Sequence, residues 1–377
     1  MSPTEETLTV AAYVCYVISL LGYVGLLLSA VAGRRVAVRS AGLQLAPAGA
    51  AGGNVTLPAP APASESGPAW PWAGRIGVGF LTLAWVLLSG ALLLRWQAGD
   101  HAPYVSLYDI TTMLVWGSTL VYLVLFELWM RVPRTVGAFV VILIAMLHTY
   151  GVVLVPADLK TVSPLVPALQ SQLLLVHVSI AILAYSCFTV AAGAAILYLV
   201  KYYQLGNWTR VLPSTALADE YIFRAVAVGF PLQSLLLITG AYWAHYAWSI
   251  AWSWDPKEIW ALITWLVFAA FLHVRVQRGW RGSTMAWLAI FGYVVVLITF
   301  VGVNYMVAAF GLQSMHTYSG ENLPGAALFA LFLAVLAALI GGVVWKDLRR
   351  RRRMNSTQVA RALAQRDTPA GEDGGAA

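Results

Sequence analysis

Charged residues are scarce in this chain of 377 residues, because Asp, Glu, Lys and Arg together make up only 10% of it. A soluble domain carries roughly 25% charged residues, so an ordinary water-soluble globular protein is excluded. Hydrophobic residues make up 60%, and the mean hydropathy is +0.75. They recur in apolar runs of about 20 residues, the length with which a helix crosses a bilayer. The sequence therefore predicts an all-α integral membrane protein, because a span in lipid must satisfy its own backbone hydrogen bonds.

Cysteine is almost absent. The only two, Cys15 and Cys187, lie inside apolar runs and form no Cys-x-x-Cys pair. A disulfide framework, a zinc site and an intrinsic dithiol redox function are therefore unsupported. We expect each cysteine to be a small buried hydrophobic residue.

The apolar runs predict about nine transmembrane helices. We place them at about 8–32, 75–96, 106–130, 135–155, 172–200, 223–243, 256–277, 284–308 and 325–346. With the N-terminus outside and the C-terminus inside, all but Arg95, Lys160 and Lys257 of the 23 Lys and Arg residues fall on the inner side. Because Lys and Arg concentrate in cytoplasmic segments, this orientation is favoured.

Composition divides the chain into four regions. Residues 1–39 hold the first helix and its basic flank, and 40–72 form an Ala-, Pro- and Gly-rich linker that we expect to be disordered in the cytoplasm. Residues 73–346 form the polytopic domain, and 347–377 a disordered cytoplasmic tail that begins with an arginine run. The basic residues behind the net charge of +7 lie beside the spans. The lipid bilayer, rather than nucleic acid, is therefore the expected partner.

Tryptophan is concentrated in one stretch, 240–265, which holds six of the chain's 16. They are Trp243, Trp248, Trp252, Trp254, Trp260 and Trp265. We expect residues 240–258 to form a loop on the outer side, between the sixth and seventh spans. Some of these tryptophans need no special explanation, because tryptophan collects at membrane interfaces. Their density exceeds that need, and large flat apolar faces would suit a porphyrin ring.

The charged residues of this stretch have a structural interpretation. Asp255 suits a helix N-cap, Pro256 the first helical position and Glu258 the third, so together they predict a helix start. Such a cap does not exclude a further role. Lys257 can meet an anionic group such as a propionate, or can extend its ammonium to water.

The predicted topology sorts the six histidines, which are His101, His148, His177, His245, His273 and His316. His177 and His316 fall on the outer side, level with the tryptophans, where two neutral imidazoles would bind a haem iron axially. The alternative is that both are ordinary polar surface residues. His273 follows Pro256 by about 25 Å along the helix, so it cannot share the outer site; it can instead reach water beside Arg275. The remaining three histidines are left unassigned.

The string Trp252-Ser253-Trp254-Asp255-Pro256-Lys257-Glu258 resembles the WWD signature of haem-handling membrane proteins. Its form is similar to that of the CcsA/ResC type of the system II cytochrome c synthase. Leu165 to Ser171, which leads to His177, and Ser106 to Asp109 are similar to two further stretches of this family. The resemblance covers residues of about 100–320.

The resemblance implies that the chain delivers and attaches haem in c-type cytochrome maturation. Haem b would be both substrate and bound ligand, with His177 and His316 as axial iron ligands of an outer site. His273 would be an iron ligand of a transmembrane site. The cofactor-binding set would also include Trp243, Trp248, Trp252, Trp254, Asp255 and Lys257. The chain departs from the family at Ser249, where glycine is usual, and at Ala251, where an aromatic residue is usual, so one wall of the aromatic platform would be thinner.

The resemblance also implies partners and a location. The chain would be a component of a cytochrome c synthase, or haem lyase, that acts with a CcsB/ResB-type membrane protein carrying the other transmembrane histidine. Its substrate would be an apocytochrome c, whose Cys-x-x-Cys-His thiols a thioredoxin-like reductant keeps reduced. The site would lie on the outer side of a bacterial cytoplasmic membrane. No residue is assigned as an acid, base or nucleophile, because the reactivity lies in the haem and the thiols.

Two other classes of function stay open. A bis-histidine haem b subunit that transfers electrons across the membrane would need histidine pairs at both depths, whereas this chain offers only the outer pair. A transporter without a cofactor would show broken helices and buried charges at mid-membrane. Asp and Glu lie mostly at loops and helix ends instead.

Overall fold

Eight long apolar helices form the part of the chain that the computed structural model describes, which is residues 1–43, 70–162, 164–165, 167–316 and the single residues 341 and 345. The α-helices are α1 (Pro3–Leu43), α2 (Pro71–Gly99), α3 (Leu107–Val121), α4 (Gly137–Thr149), α5 (Gln172–Tyr202), α6 (Thr215–Trp248), α7 (Pro256–Gln277), α8 (Ser283–Leu297) and α9 (Val303–Phe310). Three π-helical segments extend or join them: Tyr122–Trp129 after α3, Tyr150–Leu154 after α4, and Ile298–Gly302 between α8 and α9. Short 3-10 turns lie at Arg134–Val136, Asp158–Lys160, Pro167–Leu169 and Asn207–Val211.

The predicted all-α membrane architecture is confirmed, and the eight helices coincide with the first eight predicted spans. The ninth predicted span, 325–346, lies outside the described residues apart from 341 and 345, as does most of the predicted linker and the whole tail. The membrane orientation remains a prediction. Cys15 and Cys187 are both buried inside helices, as expected.

Helix α6 is longer than predicted at both ends. It begins at Thr215 rather than near 223, because the Ser214 hydroxyl accepts a hydrogen bond from the Leu217 N–H and caps the helix. It also runs on to Trp248, so the predicted loop 240–258 shortens to the residues between α6 and α7. The first two tryptophans of the stretch therefore stand on a helix.

Helix α5 is the central element, since it packs against α3, α4, α6 and α8. Near the middle of α5 the Phe188 ring stacks on Phe268 of α7, with centroids 3.7 Å apart. The stack fits because Gly292 of α8 leaves room for it; a Cβ there would stand 2.6 Å from the Phe268 ring. Small residues that let helices approach closely are the usual means of packing in a membrane.

One end of the bundle, at which α1, α3, α5 and α7 begin, is called the tryptophan end below. Here Arg95 of α2 donates hydrogen bonds to the carboxylates of Glu5 and Asp109. It also donates to the carbonyls of Lys160 and Thr161, which lie in the connection between α4 and α5. All three charged side chains are buried. The guanidinium thus ties the starts of α1 and α3 to the end of α2.

Asp109 also shapes the turn before α3. Its second carboxylate oxygen accepts from the N–H groups of Val105 and Ser106, while the Ser106 hydroxyl accepts from the Asp109 N–H. This reciprocal capping box sets the backbone of the segment that carries Tyr104.

Replacing Arg95 by Gln is expected to lower the free energy of unfolding by about 3–5 kcal/mol, because two buried carboxylates lose their counter-charge. The measurement is unfolding of the purified protein in mixed micelles by increasing SDS. Arg224→Gln is the control, since Arg224 pairs with Glu220 at an exposed position and should change stability by only about 0–1 kcal/mol. Equal effects of the two substitutions would contradict the assigned role.

Candidate functional site

A cavity opens between α5, α6 and α7 at the tryptophan end. It is mostly apolar and has a volume of about 210 Å³. Its polar lining includes His177, His316, Lys257 and Glu258. Its apolar and aromatic lining includes Tyr104, Leu169, Val178, Ala181, Tyr185, Leu236, Gly240, Trp243, Ala251, Trp252, Ala261 and Phe300. A mostly apolar concave site with a few convergent polar groups is typical of a ligand pocket.

His177 lies in the second turn of α5, with its ring against α6. Its Nδ1 is 3.1 Å from the Leu236 carbonyl oxygen. A carbonyl can only accept, so Nδ1 carries the proton and Nε2 keeps the lone pair. Within the described part of the chain, the hydrogen-bond contacts of this ring use Nδ1 alone. The imidazole is therefore prepared to act as a ligand through Nε2.

The buried indole of Trp243 stands beside both site histidines. Its ring lies 6.2 Å from that of His177, nearly parallel at 16°, and 6.2 Å from that of His316 at 66°. Trp248 packs edge-on against both Trp243 and His316. Nε1 of Trp243 is buried and has no hydrogen-bond partner among the described residues. One α6 indole thus brings together two residues that are far apart in sequence.

The segment that carries His316 is held by the start of α7. The Asp255 carboxylate accepts hydrogen bonds from the Ser314 hydroxyl at 3.0 Å and from the Met315 N–H at 2.8 Å. Nδ1 of His316 lies 3.3 Å from the same carboxylate, without the alignment of a hydrogen bond. The Lys257 ammonium donates to the His316 carbonyl at 3.3 Å. These contacts orient Nδ1 of His316 towards Asp255.

The predicted helix start at Asp255 is confirmed. The Asp255 carboxylate accepts from the Lys257 N–H, Pro256 occupies the first helical position, and Glu258 completes a capping box. The Glu258 carboxylate accepts from the N–H groups of Asp255 and Ser253 and from the Ser253 hydroxyl. Asp255 therefore acts both as the N-cap of α7 and as the anchor of the His316 segment, and it does not line the cavity.

The surroundings of the Asp255 carboxyl lower its pKa. Burial alone would raise its pKa, but the contact with His316 and the hydrogen bonds from Lys257 and Ser314 lower it from 3.8 to about 2. A carboxyl whose pKa falls on folding stabilises the fold above its ordinary pKa, and that stabilisation is lost as the pH falls through the folded value. The anchor should therefore hold down to about pH 4 and weaken towards pH 2.

The predicted site tryptophans divide into two groups. Trp243 and Trp252 line the cavity, and Trp248 supports it from behind His316. Trp254 does not: its side chain is 67% exposed and its ring touches Trp252 edge-on at 5.9 Å. The prediction that Trp254 contacts a ligand in the cavity therefore has no contact to support it.

Both departures from the family pattern fall at this site. Ser249, where glycine is usual, ends α6 with a φ of 58°, a left-handed conformation that glycine adopts without strain. Ala251 lines the cavity where an aromatic residue is usual, so the wall there is one methyl group deep. A glycine at position 249, which the resemblance implies for the family, would relieve this backbone strain.

His273 lies elsewhere, near the opposite end of α7, and its side chain is exposed on the bundle surface. Two residues on, Arg275 is buried and pairs with Asp219 of α6 at 2.6 Å. His273 therefore lies outside the cavity that His177 and His316 line, as its spacing from Pro256 predicts.

The unassigned histidines lie outside this cavity. His101 stands in the turn after α2, and His245 is exposed near the end of α6. His148 is buried in α4 between the edges of Tyr13 and Tyr16.

Several cavity residues were missed by the sequence analysis. Tyr185 and Phe300 close the deep end, with ring centroids 6.2 Å apart. Phe300 lies in the π-helical segment Ile298–Gly302, whose Thr299 hydroxyl donates to the Trp260 carbonyl of α7. In the sequence, Tyr185 and Phe300 cannot be told apart from the other apolar and aromatic residues of a membrane span. The only sequence signal for Tyr104 was its place just before the family stretch at 106–109.

Comparison with known protein families gives a match over most of the bundle. Residues 104–310 match the family model described as "Cytochrome C assembly protein". The matched range contains His177, the tryptophan stretch and His273, and it ends just before His316.

Curated relatives agree with this match. The chain is 35% identical over 267 residues to "Cytochrome c biogenesis protein CcsA" of Guillardia theta, which covers 66% of this chain and 86% of the relative. Proteins with the same description are 34% identical over 250 residues in Chlamydomonas reinhardtii, covering 66% of this chain and 69% of the relative. In Microcystis aeruginosa the identity is 34% over 300 residues, covering 67% and 88%.

Replacing Asp255 by Asn should release the His316 segment while leaving α7 capped, because Asn is as good an N-cap as Asp. A hydrogen bond to a charged group contributes about 1.5–3 kcal/mol. We therefore expect the Met315 amide, monitored by hydrogen–deuterium exchange, to exchange about 10- to 150-fold faster.

Asp158→Asn is the matched control, because it removes one carboxylate from an exposed turn at the same end of the bundle. It should leave exchange at Met315 unchanged. Unchanged exchange in Asp255→Asn as well would refute the anchoring role.

Proposed function

We propose, on the premise that this chain belongs to the cytochrome c assembly protein family and is of the CcsA type, that its cavity holds haem for covalent attachment to c-type cytochromes. The observation that carries the proposal is the placement of His177 and His316 in one cavity, each with its ring 6.2 Å from the Trp243 indole. Two imidazoles in one apolar pocket form a ligand set that suits haem iron.

The nitrogen chemistry of the two histidines fits axial ligation. The Leu236 carbonyl holds the His177 proton on Nδ1, and Asp255 stands against Nδ1 of His316. In each ring Nε2 is then the nitrogen available to iron. A carbonyl or carboxylate behind the ligating imidazole is the usual arrangement at metal sites, since it fixes the tautomer and raises ligand basicity.

The walls fit the organic part of haem. Trp243, Trp252 and the aliphatic residues of α5 and α6 supply apolar surface for a porphyrin. Lys257 lines the same cavity, and its ammonium would pair with a haem propionate. The Nε1–H of Trp243 would offer that carboxylate a further donor.

In the proposed reaction, haem is substrate and the two thiols of an apocytochrome Cys-x-x-Cys-His segment are the reactants. Each thiol adds across a vinyl group, so that sulfur bonds to one vinyl carbon and a proton reaches the other, with no net oxidation. This requires reduced thiols, which a thioredoxin-like reductant would supply. The chain itself positions the haem and excludes water, which is the protein's usual contribution when the reactivity lies in the substrates.

Haem would reach the cavity from the opposite end of the bundle. The exposed His273 side chain would be an axial ligand there, and a CcsB/ResB-type membrane protein would contribute the second transmembrane histidine. With the N-terminus outside, as the distribution of Lys and Arg favours, the tryptophan end faces outward from a bacterial cytoplasmic membrane. The ninth span would return the C-terminus to the inner side.

The alternative function is a bis-histidine haem b subunit that carries electrons. An electron carrier would use the same two histidine ligands at the tryptophan end, so only the reaction product distinguishes the two functions. Co-expression with an apocytochrome c and the partner protein, followed by a denaturing gel stained for haem, should show covalently bound haem on the cytochrome. Pigmented protein without covalent product would favour the electron carrier.

His177→Gly, with and without added imidazole, tests the site itself. Loss of the side chain should abolish cytochrome c assembly, and imidazole in the medium should restore it by entering the vacated space as a free ligand. His245→Gly removes an exposed histidine from the same end of the bundle and should assemble cytochrome at the normal level. Absence of a Soret band from the purified wild-type protein would exclude haem binding altogether.

A further inference from the structure

We propose that one turn of α6, from Leu236 to Gly240, is the positioning element of the His177 ligand, and that Gly240 is a glycine because the imidazole occupies the space of its missing side chain. This inference rests on the proposed function, since it concerns how the same site presents an iron ligand. It assigns a role to a backbone carbonyl and to a residue without a side chain.

The fit of the ring against Gly240 is close. A Cβ built on Gly240 would lie 2.7 Å from Cε1 of His177 and 3.1 Å from Nδ1. Contacts of 2.7 Å between carbon atoms are far inside van der Waals distance, so any other residue at 240 must displace something. The three heavy atoms nearest to that Cβ all belong to the imidazole ring.

The ring rather than the helix should yield. The α6 backbone is fixed by its own helical hydrogen bonds, and the Leu236 and Trp243 side chains on either side of Gly240 are both buried. His177 is held chiefly by its 3.1 Å bond to the Leu236 carbonyl and by the Trp243 ring beside it. A side chain at 240 would therefore push the imidazole off its carbonyl partner.

Displacement would change the ligand in two ways. The bond to Leu236 selects the tautomer with the lone pair on Nε2, and losing it frees the proton to occupy either nitrogen. The ring would also turn out of the plane in which it lies nearly parallel to Trp243. Changes behind a metal ligand of this kind typically weaken ligation about 10- to 100-fold.

The test compares Gly240→Ala with Gly229→Ala in the full-length protein purified with haem. Gly229 is the matched control, because it lies on the same helix and its added Cβ also meets α5, at 2.8 Å from Phe188 and 2.9 Å from Cys187. Both variants crowd the α5–α6 interface, but only Gly240→Ala crowds the imidazole.

The readout is the absorption spectrum of the bound haem. Gly240→Ala should lose the low-spin, six-coordinate bands and regain them with added imidazole. Gly229→Ala should keep these bands even if the added methyl group lowers the stability of the protein. A low-spin spectrum in Gly240→Ala equal to that of the wild type would overturn the inference. If His177→Gly also leaves the wild-type spectrum unchanged, the proposed function fails rather than this positioning role.

A double variant decides the case even if Gly240→Ala does not accumulate. Without the imidazole there is nothing for the added methyl group to strike, so His177→Gly with Gly240→Ala should match His177→Gly alone in the yield of folded protein. Such non-additivity is the mark of two residues that act through one contact. A double variant that is as impaired as the sum of the two single changes would show a general packing role and refute the proposal.

Discussion

The carboxylate of Asp255 joins two segments that are 59 residues apart in sequence, the start of α7 and the turn at Ser314. The position of His316 depends on that junction, since the lining at the tryptophan end is complete only when the His316 segment lies against α7. The carboxylate is buried and fully used, with acceptors for Lys257, Ser314 and Met315. Its charge is also favourable at this place, because a helix N-terminus carries a partial positive charge. A neutral residue of similar shape would keep part of these contacts but not the charge.

The structure explains why the helix cap and the ligand site use the same short string of residues. Asp255 faces its own loop and the His316 segment, whereas Lys257 and Glu258 line the cavity. A helix start presents neighbouring residues in different directions, so structural and ligand-binding roles can alternate along it. The two interpretations of the string are therefore complementary rather than competing.

Much of the bundle could be predicted because its signals are local. Apolar runs gave eight spans, and Asp255-Pro256 with Glu258 gave a helix start at the correct residue. What escaped prediction depends on contacts between distant segments or on the backbone. The Leu236 carbonyl has no side-chain signature, and the pairing of Arg95 with Glu5 joins residues 90 apart. The helical state of 244–248 was missed because aromatic density suggested a loop, while packing of Trp243 against His177 of α5 stabilises the helix there.

The helical state of that segment has a consequence for how the site can change in evolution. Gly240, Trp243 and Trp248 share one rigid helix, and each residue inserted into or removed from a helix rotates everything beyond it by about 100°. A single-residue deletion between Gly240 and Trp243 would thus turn the indoles away from both imidazoles. The short connection that follows, from Ser249 to Trp254, is not helical and carries two left-handed residues. Length variation among homologues should therefore be found in this connection and not in the helical turns before it.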